Sequence, residues 1–169
     1  MGVMTPVNLS AMQCSVARTL DVIGDKWSLL ILRDAFYGVQ RFDDFRLDLG
    51  VARNILTDRL NKLVDHGVLK RVLYEAKPPR YEYKLTEKGR DLLPVLLVMM
   101  RWGDEWASDG ISQPTKLTHT KCGHDTEAVA VCSACNEELQ LGHLMPHPIK
   151  VRMPEYAAAP LSETVEEAG

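Results

Sequence analysis

The sequence has no apolar run long enough to cross a bilayer. Its longest, Leu92 to Met100, has nine residues and is interrupted by Pro94, whereas a spanning helix needs about 20. The chain does not open on a basic segment followed by an apolar one, so no secretory signal is read and a cytoplasmic location is expected. Met1-Gly2 begins like a myristoylation site, but Pro6 stands where that motif needs Ser or Thr. A phosphate-binding glycine loop and a nucleophile elbow are both missing, and the carboxylates are scattered without pairing. The expectation is therefore a protein that is not an enzyme. Internal repeats are missing too, and so is any surplus of positive charge: the formal net charge is -3.

What is present is 169 residues, 46% hydrophobic and 25% charged, the size and composition of one globular domain with a small annex. The charge is unevenly spread. Residues 41–90 hold 12 Lys+Arg against 8 Asp+Glu, a net of +4, while residues 111–169 hold 4 against 8, a net of -4. Asymmetry of this kind says more about partners than the sum does.

Apolar periodicity predicts four helices in the first half. Val16, Ala17, Leu20 and Ile23 give the first, ended by Gly24, and Lys26 to Phe36 forms a second. Phe42, Phe45 and Leu49 mark a short third, ended by Gly50. The fourth runs from Val51 or Ala52 to Asp65, with Leu56, Leu60, Leu63 and Val64 on one stripe. The period then changes. Leu69 to Glu75 and Tyr81 to Leu85 read as two strands around a basic turn, Ala76 to Arg80. Thr86 is placed to cap a long last helix reaching about Ser108. Its middle is apolar on nearly every side, so one face packs on its own domain and another needs a partner, most simply a second copy. Pro94 is expected to kink it. Gly110 to Pro114 reads as a linker, and 1–12 and 154–169 as flexible tails.

Four helices, a strand, a basic turn, a strand and a helix make a winged helix-turn-helix. The fold class expected is mainly α with a small β-hairpin (α+β), plus a small zinc-ribbon-like C-terminal extension. In such a fold one helix enters the major groove, where each base pair shows a distinct donor and acceptor pattern. The fourth helix is the candidate reader. Arg53, Asn54 and Thr57 lie in its first turns, opposite the leucine stripe, with Asp58 beside them. Arg suits guanine O6/N7 and Asn suits adenine N6/N7. Arg59 and Lys62 are suited to phosphate, as are Lys77 and Arg80 at the turn between the strands. Against this, charges on an amphipathic helix are often only its solvated face, and Arg59 has Asp58 and Asp43 as alternative partners.

Cys14-Ser-Val-Ala, Leu20-Asp-Val-Ile-Gly-Asp-Lys-Trp27, Arg41-Phe-Asp-Asp-Phe45, Asn54-Ile-Leu-Thr-Asp-Arg-Leu60, Leu63-Val-Asp-His-Gly67, Tyr83-Lys-Leu-Thr-Glu-Lys-Gly89 and Trp102-Gly-Asp-Glu-Trp106 together resemble the HxlR-type transcriptional regulators. The resemblance covers about residues 13–110. It implies a bacterial or archaeal homodimer on double-stranded DNA, bound at an inverted-repeat operator and joined through its terminal helices. Members often carry Gly where this chain has Asp25. The family's N-terminal cysteine corresponds to Cys14, which in some similar regulators senses oxidants or electrophiles. Cys14 is thus the redox-sensing candidate, with Arg18 one turn away to favour its thiolate. The alternative is a buried structural cysteine.

The other three cysteines lie in residues 115–147. His119-Thr-Lys-Cys122 and Cys132-Ser-Ala-Cys135 form the pattern H-x2-C-x9-C-x2-C. Two short pairs separated by a loop suit four ligands around one structural Zn2+. His124 is an alternative to His119, and His143 and His147 are more distant candidates. The function expected is a DNA-binding transcriptional regulator, most simply a repressor, responding to a thiol-reactive or small-molecule effector. The alternatives are a winged-helix protein-interaction scaffold and a thiol-redox protein using Cys132 and Cys135.

Overall fold

The computed structural model describes Leu9, residues 12–110 and residues 115–145. The expected tail 154–169, most of 1–12, and His147 lie outside these residues. The chain divides into two compact units, residues 1–103 and 104–169.

The first unit opens with α1 (Ser15–Ile23), α2 (Lys26–Phe36), α3 (Phe42–Leu49) and α4 (Arg53–Asp65). Several of their ends have a local cause. The Asp25 carboxylate caps α2, accepting from the N–H of Trp27 at 3.1 Å and of Ser28 at 2.9 Å. Gly50 ends α3 in the left-handed conformation, φ +59, which residues other than glycine adopt at a cost. Val51, in the turn that leads into α4, is buried. The stripe expected on α4 is inside: Leu56, Leu60 and Leu63 are fully buried, packing with Ile23, Ile31, Leu32, Phe45, Val68 and Leu69.

The hairpin follows as β1 (Leu69–Ala76) and β2 (Pro79–Leu85), antiparallel, with Leu69 opposite Leu85 and Ala76 opposite Pro79. Pairing continues further than the sequence suggests, and leaves only Lys77 and Pro78 to turn. A bulge at Tyr74 interrupts the register. A bridge from Arg41 to Glu82, and the Tyr83 N–H on the Gln40 carbonyl at 2.7 Å, add a rudimentary third strand.

The last helix departs from expectation: it is broken, not kinked. A single turn, α5 (Glu87–Arg90), capped by the Thr86 hydroxyl on the Gly89 N–H, is followed by α6 (Leu93–Trp106). The reason lies in Pro94. Its ring would strike the carbonyl four residues back, at Arg90, but is tolerated in a first turn. The helix therefore stops at 90 and restarts at 93. On α6 only Leu96 is buried. Val95, Val98, Met99, Trp102 and Trp106 are exposed along one stripe, the two tryptophans by 63% and 70%.

In the second unit β3 (Leu117–His119) pairs with β4 (His124–Thr126), and Val131 bridges to Glu138.

Candidate nucleic-acid interface

α3, the turn Gly50-Val51-Ala52 and α4 make a helix-turn-helix, two helices joined by a three-residue turn containing glycine. Arg53, Asn54, Thr57 and Asp58 are exposed at the start of α4, as the amphipathic pattern requires. Arg53 is not loose. Its guanidinium lies 3.6 Å from Asp43 and 5.1 Å from the centre of the Phe42 ring, so α3 orients the first long side chain of α4. The Thr57 hydroxyl donates to the Arg53 carbonyl at 2.8 Å, and its oxygen remains available as an acceptor.

Arg59 is placed differently from the other cations. It reaches back to Asp25 at 3.4 Å as well as to Asp58 at 3.4 Å, and its side chain is only 31% exposed. Of the two acids within sequence reach, Asp58 is its partner, while Asp43 is taken by Arg53 and Arg46. Arg59 therefore ties α4 to α2. Lys62 is half-buried and its charge is felt by Asp25.

At the hairpin end Lys77 and Arg80 are exposed, and Arg80 pairs with Glu75 at 3.3 Å. Sequence reasoning missed Arg41. It stacks 4.8 Å over the bulged Tyr74 ring and lies 3.6 Å from Glu82, itself 3.0 Å from Lys84. The lysine hydrogen bond holds the Glu82 carboxyl below its usual range, with the charges of Lys84 and Arg41 adding to the effect. Arg41 sits at the start of α3 and touches the hairpin, so it couples the wing to the helix-turn-helix. The signal available was its place just before Phe42-Asp43-Asp44, an unusual position for an arginine at the positive end of a helix.

Cys14 is exposed at the N-cap of α1. Arg18, one turn on, donates to the Ser15 hydroxyl at 3.1 Å. In the second unit His119 Nδ1 lies 3.2 Å from Cys122 Sγ. His124 is the cross-strand neighbour of His119, and His143 is exposed nearer the C-terminus. The Cys132 thiol is lowered from its ordinary pKa, chiefly by the Ala134 N–H and then by the N–H and thiol of Cys135. Among the described residues no three His, Cys, Asp or Glu side chains gather into one metal shell.

Residues 22–110 match the family described as HxlR-like helix-turn-helix. The chain belongs to this family. This HxlR-like chain is 43% identical over 134 residues to the uncharacterised HTH-type transcriptional regulator Rv3095 of Mycobacterium tuberculosis, a match spanning 79% of the chain and 85% of the relative. The solved structure of PA1607, described as a candidate transcription factor, superposes with a TM-score of 0.75 at 38% identity, covering 83% of this chain and 99% of that one. The redox regulator HypR, in its reduced form, gives a TM-score of 0.50 at 40% identity over 53% of this chain and 90% of its own. The HxlR-like chain is thus a DNA-binding transcriptional regulator of winged-helix type, not an enzyme. Among the described residues no helix is long and apolar enough to cross a membrane.

Proposed function

We propose that the protein acts in the cytoplasm as a homodimeric repressor on an inverted-repeat operator. The observation that carries this reading is the exposed Arg53, Asn54 and Thr57 at the start of α4, beside a hairpin that ends in Lys77 and Arg80. α4 enters the major groove. Arg53 and Asn54 meet base edges there, and Lys77 and Arg80 meet phosphate or the adjacent minor groove. The α6 stripe supports the dimer: Val95, Val98, Met99, Trp102 and Trp106 recur at helical spacing and are exposed among the described residues. α1 adds exposed Val16 and Leu20. Joining two copies there sets two reader helices about 34–36 Å apart, one DNA turn. The test is a fluorescence-anisotropy titration against the protein's own promoter region. Binding should be saturable, stronger than to scrambled DNA, and weaker as salt rises. Equal affinity for scrambled DNA, or none for either, would leave the scaffold reading.

A second reading concerns the signal. Cys14 is exposed and stands on α1, next to the proposed dimer face, and the HypR neighbour is a redox regulator. Modification of Cys14 by an oxidant or electrophile would change the spacing of the two readers. A Cys14→Ser variant should keep its DNA affinity in diamide or quinone while the wild type loses it, and an identical response from both would remove Cys14 from the mechanism.

A further inference from the structure

The two Cys/His pairs of the second unit stand in turns of the same construction. In the first, the His119 carbonyl accepts from the N–H of Cys122 at 3.1 Å and of Gly123 at 2.8 Å, and Gly123 has φ +74. In the second, the Cys132 carbonyl accepts from the N–H of Asn136 at 2.9 Å, and Asn136 has φ +62. Among the described residues it is the only non-glycine with positive φ, a conformation L-residues adopt at a cost. In both turns a ligand-type side chain holds the first and fourth positions and a left-handed residue the fifth. In both, the chain then folds back on itself. His119 pairs with His124. Around Cys132, its N–H donates to the Glu137 carbonyl at 2.8 Å and the Leu139 N–H to the Ala130 carbonyl at 2.8 Å. Each pair therefore sits at the tip of its own small hairpin.

The side chains agree with this reading. His119 Nδ1 and Cys122 Sγ are 3.2 Å apart. Two donors about 2.0 and 2.3 Å from one tetrahedral ion stand about 3.6 Å apart. The Ala134 N–H points at Cys132 Sγ from 3.4 Å, the kind of outer bond that orients a metal-bound thiolate.

Burial gives an independent argument. Of residues 115–145, none is buried, and only Leu117, Ala128 and Cys132 are half-buried. Val129, Val131, Leu139, Leu141 and Leu144 are all exposed. A segment this small, with no buried core among its described residues, needs a cross-link, a metal or a partner to hold one structure. Its three thiols are free.

We infer that His119, Cys122, Cys132 and Cys135 bind one Zn2+ between the two hairpin tips, and that this ion holds the second unit together. Because the two pairs do not share one metal shell in the structure, binding draws the tips toward each other. Metal binding thereby becomes folding free energy for this unit, and the thiols release their protons as they coordinate. A closed shell of one nitrogen and three sulfurs leaves no position for a reacting water, so the site is structural.

The full chain, purified without chelator, should hold about one zinc per chain, the stoichiometry of a single closed site. Cobalt loaded in place of zinc should give the intense visible bands of a tetrahedral thiolate site. Cys122→Ser and Cys135→Ser should each lose most of the metal and weaken those bands, while an unchanged helical circular-dichroism signal and melting transition on the same samples report that the first unit is intact. Removing zinc from the wild type should speed proteolysis within residues 115–145 several-fold and leave the first unit uncut. Less than about half an equivalent of zinc in the wild type, or unchanged metal content in both variants, overturns the proposal. Loss of metal in His124→Ala but not in His119→Ala overturns the choice of histidine. The metal content, the cobalt bands and the proteolysis are read without reference to DNA, so their failure is distinguishable from failure of the DNA-binding reading.

Discussion

The Asp25 carboxylate lies 3.4 Å from the Arg59 guanidinium, so the residue that caps α2 also holds the middle of α4. The same carboxylate accepts from two backbone N–H groups and from the Ser28 hydroxyl at 2.6 Å. Burial alone would raise its pKa, but the Ser28 hydrogen bonds and the charges of Arg59 and Lys62 outweigh that and leave it lowered. The acid at this position thereby fixes α4 against α2, the helix behind it.

Asp25→Ala should cost about 1–2 kcal/mol, the upper range for losing a helix cap, measured by urea unfolding. The sign with pH follows from the lowered pKa. A carboxylate with a folded pKa below its unfolded one contributes in full above the unfolded value, about 3.9, and loses that contribution as pH falls through the folded value. The gap between wild type and variant should hold steady at neutral and mildly acidic pH and close only in stronger acid. A gap that widens toward acid would contradict the assignment.

Arg53→Ala should relax base preference at one position of each half-site by about 1–3 kcal/mol. Competition between the operator and singly permuted sites reads this directly. Equal losses at every position would mean that Arg53 meets phosphate instead.

Lys77→Ala should weaken binding to all sequences alike and lower the slope of log affinity against log salt by about 0.9 for the lost phosphate contact. A changed sequence preference would argue that the wing reads bases.

Val98→Glu combined with Trp102→Glu should convert a dimer into a folded monomer in sedimentation, because both side chains lie on the uncovered stripe of α6. Circular dichroism should stay helical while operator affinity falls by more than tenfold. A variant that remains dimeric would move the interface elsewhere.

Gly89→Ala should lower stability by about 1–3 kcal/mol, as overpacking does, read as a lower Tm. Gly89 is buried, and an added Cβ would run into the Val68 carbonyl. That carbonyl already accepts from the Thr86 N–H, and the Thr86 hydroxyl lies 3.1 Å from it, so the backbone there has little room to retreat.

Much of the fold is legible in the residues, because several boundaries of the first four helices carry local punctuation. Gly24, Gly50 and Gly67 stop helices at the positions the structure shows. The break before Pro94 is harder to see, since the apolar run from Leu92 to Met100 reads as one helix whether or not its backbone bonds are continuous. In the site, the cations are visible from helical spacing but their acid partners are not. Asp25 and Arg59, Asp43 and Arg53, and Arg41 and Glu82 each lie on different elements, and no local pattern joins them. The exposure of Cys14 is equally hidden, since free cysteines are most often buried.

The pairing of these cations has a bearing on how the protein behaves away from its target. With Arg53 on Asp43, Arg80 on Glu75, and Lys84 and Arg41 on Glu82, the free protein carries its own counterions. Random DNA must displace those carboxylates before it gains the attraction that basic residues normally offer any phosphate. With Arg53 and Asn54 reading bases as proposed, sequences that satisfy both compensate for the exchange, and other sequences do not. On the proposed reading, the chain is thereby kept from being held up along the great length of DNA that is not its operator.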